Sequence, residues 1–281
     1  MIMKAQINKK FYIILTFIAM LIVTSSSLLA KNNVDVLTQD RQLPVFTSIK
    51  LVCSADLIIH QGNDQVVTVK ADSDIIGSVE TKVENGTLIV DVKRNNYFNI
   101  HVMEVHITMT NLEKIKSLGS GDIELEGGFK TSNLIVSLSG SGDFQADLQA
   151  QNMELEINGS GDARFGEVRG SFKLSVSGSG DVEADGLQLE TCMISSFGSG
   201  DISLSGNCID LTMSQMGSGD INAYGLKSVN ATVTNTGSGD MVVTVAESLQ
   251  AKLNGSGDLT YQGDPAKVKV TANGSGEVYK K

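Results

Sequence analysis

Nine acids from Asp122 to Glu277 stand behind the same three residues, Gly-Ser-Gly. The tetrapeptides begin at Gly119, Gly140, Gly159, Gly178, Gly198, Gly217, Gly237, Gly255 and Gly274, at intervals of 18 to 21 residues. Their second glycines are Gly121, Gly142, Gly161, Gly180, Gly200, Gly219, Gly239, Gly257 and Gly276. Their acids are Asp122, Asp143, Asp162, Asp181, Asp201, Asp220, Asp240 and Asp258, with Glu277 ending the series. Such a motif could cradle phosphate, bind cations or turn the chain. A phosphate cradle needs a helix after the glycines, and strand-like residues follow every copy. If the copies stack, like charges about 4.8 Å apart cost roughly 1 kcal/mol per neighbouring pair even in water-like dielectric. Serine hydroxyls, backbone N–H groups, raised pKa values or bound cations would have to offset this. We read the motif as a structural turn with hydrogen-bonded acids, ahead of a cation ladder. The calcium-binding β-roll uses a nine-residue repeat richer in glycine, and that pattern is not found here.

Other chemistry has thinner support. His101 and His106 lie five apart, so on a strand they face opposite sides, and His60 is distant. Cys53, Cys192 and Cys208 show no paired spacing and read as small apolar fillers, with a Cys192–Cys208 bridge left open. Polysaccharide-cleaving enzymes need two acids, or an acid and a base, in one groove. Glu80, Glu84, Glu104 and Glu113 could contribute, but nothing singles them out. We assign no catalytic residue, no metal ligand and no cofactor. With no tryptophan and only 5% aromatic residues, platforms for stacking sugars are scarce.

The elements that position the tetrapeptides are legible around them. Directly after each acid stands an apolar residue: Ile123, Phe144, Ala163, Val182, Ile202, Ile221, Met241, Leu259 and Val278. Four residues before each first glycine stands another: Ile115, Val136, Leu155, Leu174, Ile194, Met213, Val233, Ala251 and Val270. Their neighbours alternate polar and apolar, the mark of strands with one buried face. Each repeat therefore predicts two short strands separated by a looser corner, often at glycine: Gly127, Gly166, Gly186, Gly206, Gly225 and Gly263. Self-similarity at this period means a solenoid. The predicted fold is all-β, a single-stranded right-handed parallel β-helix of about 19–20 residues per rung, with irregular N-terminal rungs or a cap. At a coil corner, glycine would supply positive φ and remove the Cβ that would strike its stacked copy.

Residues 119–281 form the regular repeat, and 46–118 are strand-rich without the tetrapeptide, with Asn85-Gly86 as a turn signal. Residues 31–45 read as a lead-in. Residues 1–30 read as a signal peptide, with Lys4, Lys9 and Lys10 preceding a 13-residue apolar run, Phe11 to Val23, and a small-residue exit. The rival is an uncleaved anchor that extends the run through Thr24 to Ala30. Removing residues 1–30 takes away three lysines and no acid, leaving 19 basic and 32 acidic residues and a net charge of −13. Such a surface repels nucleic acid and anionic membrane, so neither is an expected partner once the signal is removed. One outward row, Ser137, Ser175, Ser195, Ser214, Thr234 and Thr271, forms a hydroxyl-rich face that could dock a glycan, a protein or another copy of the chain. Its plainer reading is a solvated face of small polar residues.

Three stretches carry a family resemblance: "FTSIKLVCSADLIIHQGNDQVVTVKAD" (Phe46 to Asp72), "VENGTLIVDV" (Val83 to Val92) and "VHITMTNLEKIKSLGSGDIEL" (Val105 to Leu125). With the repeated G-S-G-D, the chain resembles the auto-transporter adhesin head family, also called the GIN domain or DUF2807, over roughly residues 46–280. The resemblance implies an exported right-handed β-helix and supplies no catalytic motif. The function expected is surface contact by a non-enzymatic adhesion or cell-envelope module, in the periplasm, at the cell surface or secreted. Its partner would be a surface glycan, an envelope protein or a further copy of itself. The alternatives are a carbohydrate-active enzyme on the same scaffold and a cation-loaded structural rod.

Overall fold

The computed structural model describes residues 35–93 and 100–281, and Val36–Lys281 form one compact unit. The expected signal peptide, residues 1–30, lies outside the described residues. Eight strands precede the first Gly-Ser-Gly-Asp: β1 (Val36–Asp40), β2 (Ser48–Leu51), β3 (Asp56–Gln61), β4 (Val66–Asp72), β5 (Val79–Glu84), β6 (Thr87–Val92), β7 (Met103–Met109) and β8 (Lys114–Ser117). The repeat then supplies β9 (Ile123–Leu138), β10 (Phe144–Ile157), β11 (Ala163–Phe165), β12 (Val168–Val176), β13 (Val182–Ser196) and β14 (Ile202–Gln215). It ends with β15 (Ile221–Asn235), β16 (Met241–Leu253), β17 (Leu259–Gln262), β18 (Lys267–Ala272) and β19 (Val278–Lys280). From β8 onward each strand pairs in parallel with its equivalent one repeat later, giving a β-solenoid of about 9 turns.

The register stacks like on like. Ile49, Ile115, Val136, Leu155, Leu174, Ile194, Met213, Val233, Ala251 and Val270 form one inward column. All of it is buried except Val270, in the last rung. Burying such columns along the whole coil is the main favourable term. Within a rung the sequence predicts two separate strands, and the structure differs. In β9, β10, β13, β14, β15 and β16 one strand runs through the looser corner. A shift of register there, as between Ala146 and Leu148, lets the chain bend without surrendering its ladder bonds.

The N-terminal part is built differently. β2 and β3 form the first rung, with β8 and β9 stacked on one side of them and β6 and β7 on the other. Between β3 and β8 the chain leaves the coil and lays down β4 to β7. Here pairing becomes antiparallel: β5 on β6, β4 on β7, and β1 on β4. The β5–β6 hairpin turns at Asn85 and Gly86, with φ of 49° and 72°, as a two-residue hairpin requires.

Candidate functional site

The corners come first, because they place every outward column. A Cβ added to the first or second glycine of any tetrapeptide would lie closer than 3.0 Å to the carbonyl oxygen of the equivalent residue one rung earlier. Close approach of stacked backbones therefore excludes every side chain at these positions. The other half of the expectation is corrected: none of these glycines has positive φ. Positive φ occurs instead at the looser corners, at Gly127, Gly128, Gly186, Gly206 and Gly263.

The steric rule also uncovers a corner that the sequence reading missed. Cys53-Ser54-Ala55-Asp56 occupies the first rung's corner, directly beneath Gly119 and Gly121. Cys53 and Ala55 keep their side chains, and both are buried. The clue in the sequence was its serine and acid in register between two apolar runs.

The acids satisfy the backbone. Asp56 Oδ1 accepts the N–H of Asp122 at 2.9 Å, and Asp122 Oδ1 accepts that of Asp143 at 2.9 Å. The relay continues through Asp162, Asp181, Asp201, Asp220, Asp240 and Asp258 and ends on the N–H of Glu277, each step 2.8 Å. Each acid's own carbonyl accepts from the residue after the acid one rung earlier, as Ile123 N–H donates to Asp143 at 2.8 Å. An aspartate side chain thus closes a bond that the turning backbone cannot make for itself. Glu277 departs from the series of aspartates, and its carboxylate accepts the Tyr279 hydroxyl at 2.7 Å. The turn serines act through their backbone, as Ser179 N–H donates to Gly159 at 3.1 Å. Their side chains face solvent and take no hydrogen bond among the described residues, which corrects the expected hydroxyl role.

From inside, two buried polar residues brace two of these corners. Asn235 Nδ2 donates to the Gly239 carbonyl at 2.8 Å, and its Oδ1 accepts from Gly237 N–H at 2.9 Å. Gln215 Nε2 donates in the same way to the Gly219 carbonyl. Both occupy an inward column otherwise held by residues such as Val176 and Leu253. Their fixed spacing of four residues ahead of the second glycine was the available signal.

Outside the coil, a groove of about 500 Å³ runs over the ladder from Asp143 to Asp220 and is walled by Arg164 and Glu183. Arg164 Nε binds Glu183 at 2.7 Å, so the one cation in the groove is held by an acid beside it. The acids considered for catalysis do not converge. Glu80 binds Lys93 at 3.2 Å, Glu84 binds Lys82 at 2.8 Å, and Glu113 takes Thr47 and Asn111 at 3.1 Å each. Glu104 is bound by Lys70 at 3.1 Å and His106 at 2.8 Å. Burial alone would raise its pKa, but these hydrogen bonds outweigh burial and hold it below the ordinary value. Asp56 goes the other way. Burial raises it, and the charges of Asp122 and Glu104 add to the rise against the Asp122 N–H bond. The other histidines each meet a separate acid, His60 with Glu126 at 3.4 Å and His101 with Asp72 at 3.5 Å. Among the described residues no three His, Cys, Asp or Glu side chains are grouped to hold a metal ion. The three cysteines are free and buried, so the Cys192–Cys208 bridge is not formed. Burial pushes both thiols up, Cys208 to about 11.

The hydroxyl row falls in one outward column, as its spacing predicts. That column reads Lys50, Lys116, Ser137, Glu156, Ser175, Ser195, Ser214, Thr234, Lys252 and Thr271. Glu156 and Lys252 interrupt the hydroxyls because their intervals carry charged residues at the same register. Beside the row stand exposed Met193, Phe197 and Met216.

With this geometry, one family accounts for the chain. The description "Putative auto-transporter adhesin, head GIN domain" matches residues 45–204 and 169–265. The chain belongs to this family. Solved structures similar to this GIN-domain chain include a putative lipid binding protein from Parabacteroides distasonis, 24% identical, covering 89% of this chain and 98% of its own, with a TM-score of 0.64. A putative adhesin from the same organism is 23% identical over 89% and 98%, with a TM-score of 0.62. Another, from Parabacteroides merdae, is 22% identical over 89% and 97%, with a TM-score of 0.61. At these identities the likeness is one of fold. No curated relative matches the sequence. No helix among the described residues is long and apolar enough to cross a membrane.

Proposed function

We propose that this GIN-domain chain is an exported, non-enzymatic module of the cell envelope that acts by surface contact through the sheet face carrying Ser175, Ser195, Ser214 and Thr234. The observation that supports this is the register that stacks those hydroxyls on adjacent rungs, beside exposed Phe197 and Met216. A row of small hydroxyls offers hydrogen bonds at little entropic cost, and exposed aromatic and methionine side chains supply anchoring area. The rival, a carbohydrate-cleaving enzyme, needs two acids free to act across one bond. The groove instead holds ladder acids committed to backbone N–H groups and a Glu183 tied to Arg164. The partner is a surface glycan, an envelope protein or a further copy of the chain, met in the periplasm, at the cell surface or outside the cell.

The test is a binding screen of the purified chain against glycans and envelope proteins, with Ser214→Arg as the face variant. A partner that binds the native chain and loses at least about tenfold in affinity to the variant supports the reading. Cleavage of any glycan in the panel, abolished by replacing one acid, overturns it.

A further inference from the structure

The same face is self-complementary, which names its partner if the surface-contact reading above holds. Across β10, β12, β13, β14, β15 and β16, the outward column reads Glu156, Ser175, Ser195, then Ser214, Thr234, Lys252. Reversed end for end, hydroxyl meets hydroxyl and the acid meets the lysine. The column beyond it reads Asn158, Ser177, Phe197, then Met216, Thr236, Asn254. Reversal here sets amide on amide, hydroxyl on hydroxyl and Phe197 on Met216. Phe197 and Met216, directly after β13 and β14, are 49% and 54% exposed, large values for apolar side chains. Lys252 is exposed with no side-chain partner among the described residues, while Glu156 takes Asn158 at 2.9 Å and Ser137 at 3.5 Å and feels the charge of Lys173.

We infer that the partner of this face is the same face of a second copy, related by a two-fold axis lying between the rungs of β13 and β14 and running along the strands. Each copy then lies antiparallel to the other. Phe197 of one packs on Met216 of the other twice over, a sulfur–aromatic pair at the centre. Glu156 of each copy faces Lys252 of the other at the two ends. This is the isologous arrangement that a two-fold demands: one patch, matched to itself. No like charges come face to face along these columns, although the chain carries −10 overall. Six rungs at about 4.8 Å and four outward residues per rung cover roughly 30 by 20 Å. That footprint gives about 1,200 Å² over both copies, the lower bound for specific association.

The experiment is sedimentation of the full chain over a wide concentration range, with E156K, K252E and the double variant E156K/K252E. Each single reversal sets like charges opposite one another at both ends of the interface and should weaken the dimer by about 100-fold. The double variant restores opposite charges and should restore the dimer. Thermal melts at a concentration where the chain is monomeric report folding apart from association, and both side chains are exposed, so those melts should not move. A chain that stays monomeric at all concentrations overturns the inference, as does a dimer indifferent to both reversals. If self-association fails while Ser214→Arg still abolishes binding in the screen, the surface-contact reading stands and only this partner falls.

Discussion

The repeat and the N-terminal layer solve one problem, a buried core under paired strands, in opposite ways. In the repeat, every rung rests on its own copy, so any side chain at a corner glycine would strike the rung before it, nine times over. The N-terminal layer has no copy to rest on. Its strands reverse direction, its corners keep side chains, and its outward charges pair locally, as Glu104 does with Lys70 and His106. Repetition makes one residue type obligatory at each corner, whereas irregularity lets each position find its own partner.

The largest expected effect breaks the comparison at its steric root. Gly178→Ala places a methyl group on the Gly159 carbonyl and should cost about 3 kcal/mol or more in urea unfolding. Gly77→Ala in the N-terminal layer meets nothing within 4 Å and should be close to neutral. Equal costs would refute the stacking explanation.

Next comes the acid relay. Asp181→Ala leaves the Asp201 N–H without its acceptor and should cost about 1–2 kcal/mol. Asp181→Asn keeps an acceptor oxygen and should cost less. Glu277→Ala removes no relay bond and should barely register. If the alanine variants at 181 and 277 unfold alike, the relay is not what selects aspartate.

The smallest effect sharpens the comparison electrostatically. Carboxyl titration followed by NMR should place Asp56 above the ordinary aspartate value and Glu104 below the ordinary glutamate value. The signs for stability then oppose each other. Glu104, depressed in the folded state, contributes stability present above its unfolded pKa and lost as pH falls through its folded value. Asp56, raised, is a liability above its folded pKa that is relieved as pH falls through it. Accordingly, Asp56→Asn should gain relative stability near neutral pH and lose that gain in acid. A profile unchanged by the substitution would count against the placement of Asp56 beside Asp122 and Glu104.

Much of the coil could be read from one chain. The alternation around Ile123 and Val136 and the constant interval suffice for stacked strands, because a strand's period of two is written directly into residue order. The hydroxyl column followed from the same register. Other features resisted reading. Cys53-Ser54-Ala55-Asp56 hid because Cys53 and Ala55 stand where every later corner has glycine, and only the stacking of Gly119 and Gly121 on them marks the position. Buried Gln215 and Asn235 could not be picked out, since their partners are carbonyls of the turn that follows. The continuous bend in β9 and its successors depends on ladder bonds to adjacent rungs, which the local pattern does not encode.

By itself, then, the sequence determined the period, the inward faces and the positions of the corners, all of which are set by local geometry and repetition. Only the tertiary structure decided why those corners are glycine, what each aspartate accepts, and which outward columns lie side by side. Those depend on contacts between residues about twenty positions apart, made when one coil of backbone settles on the next.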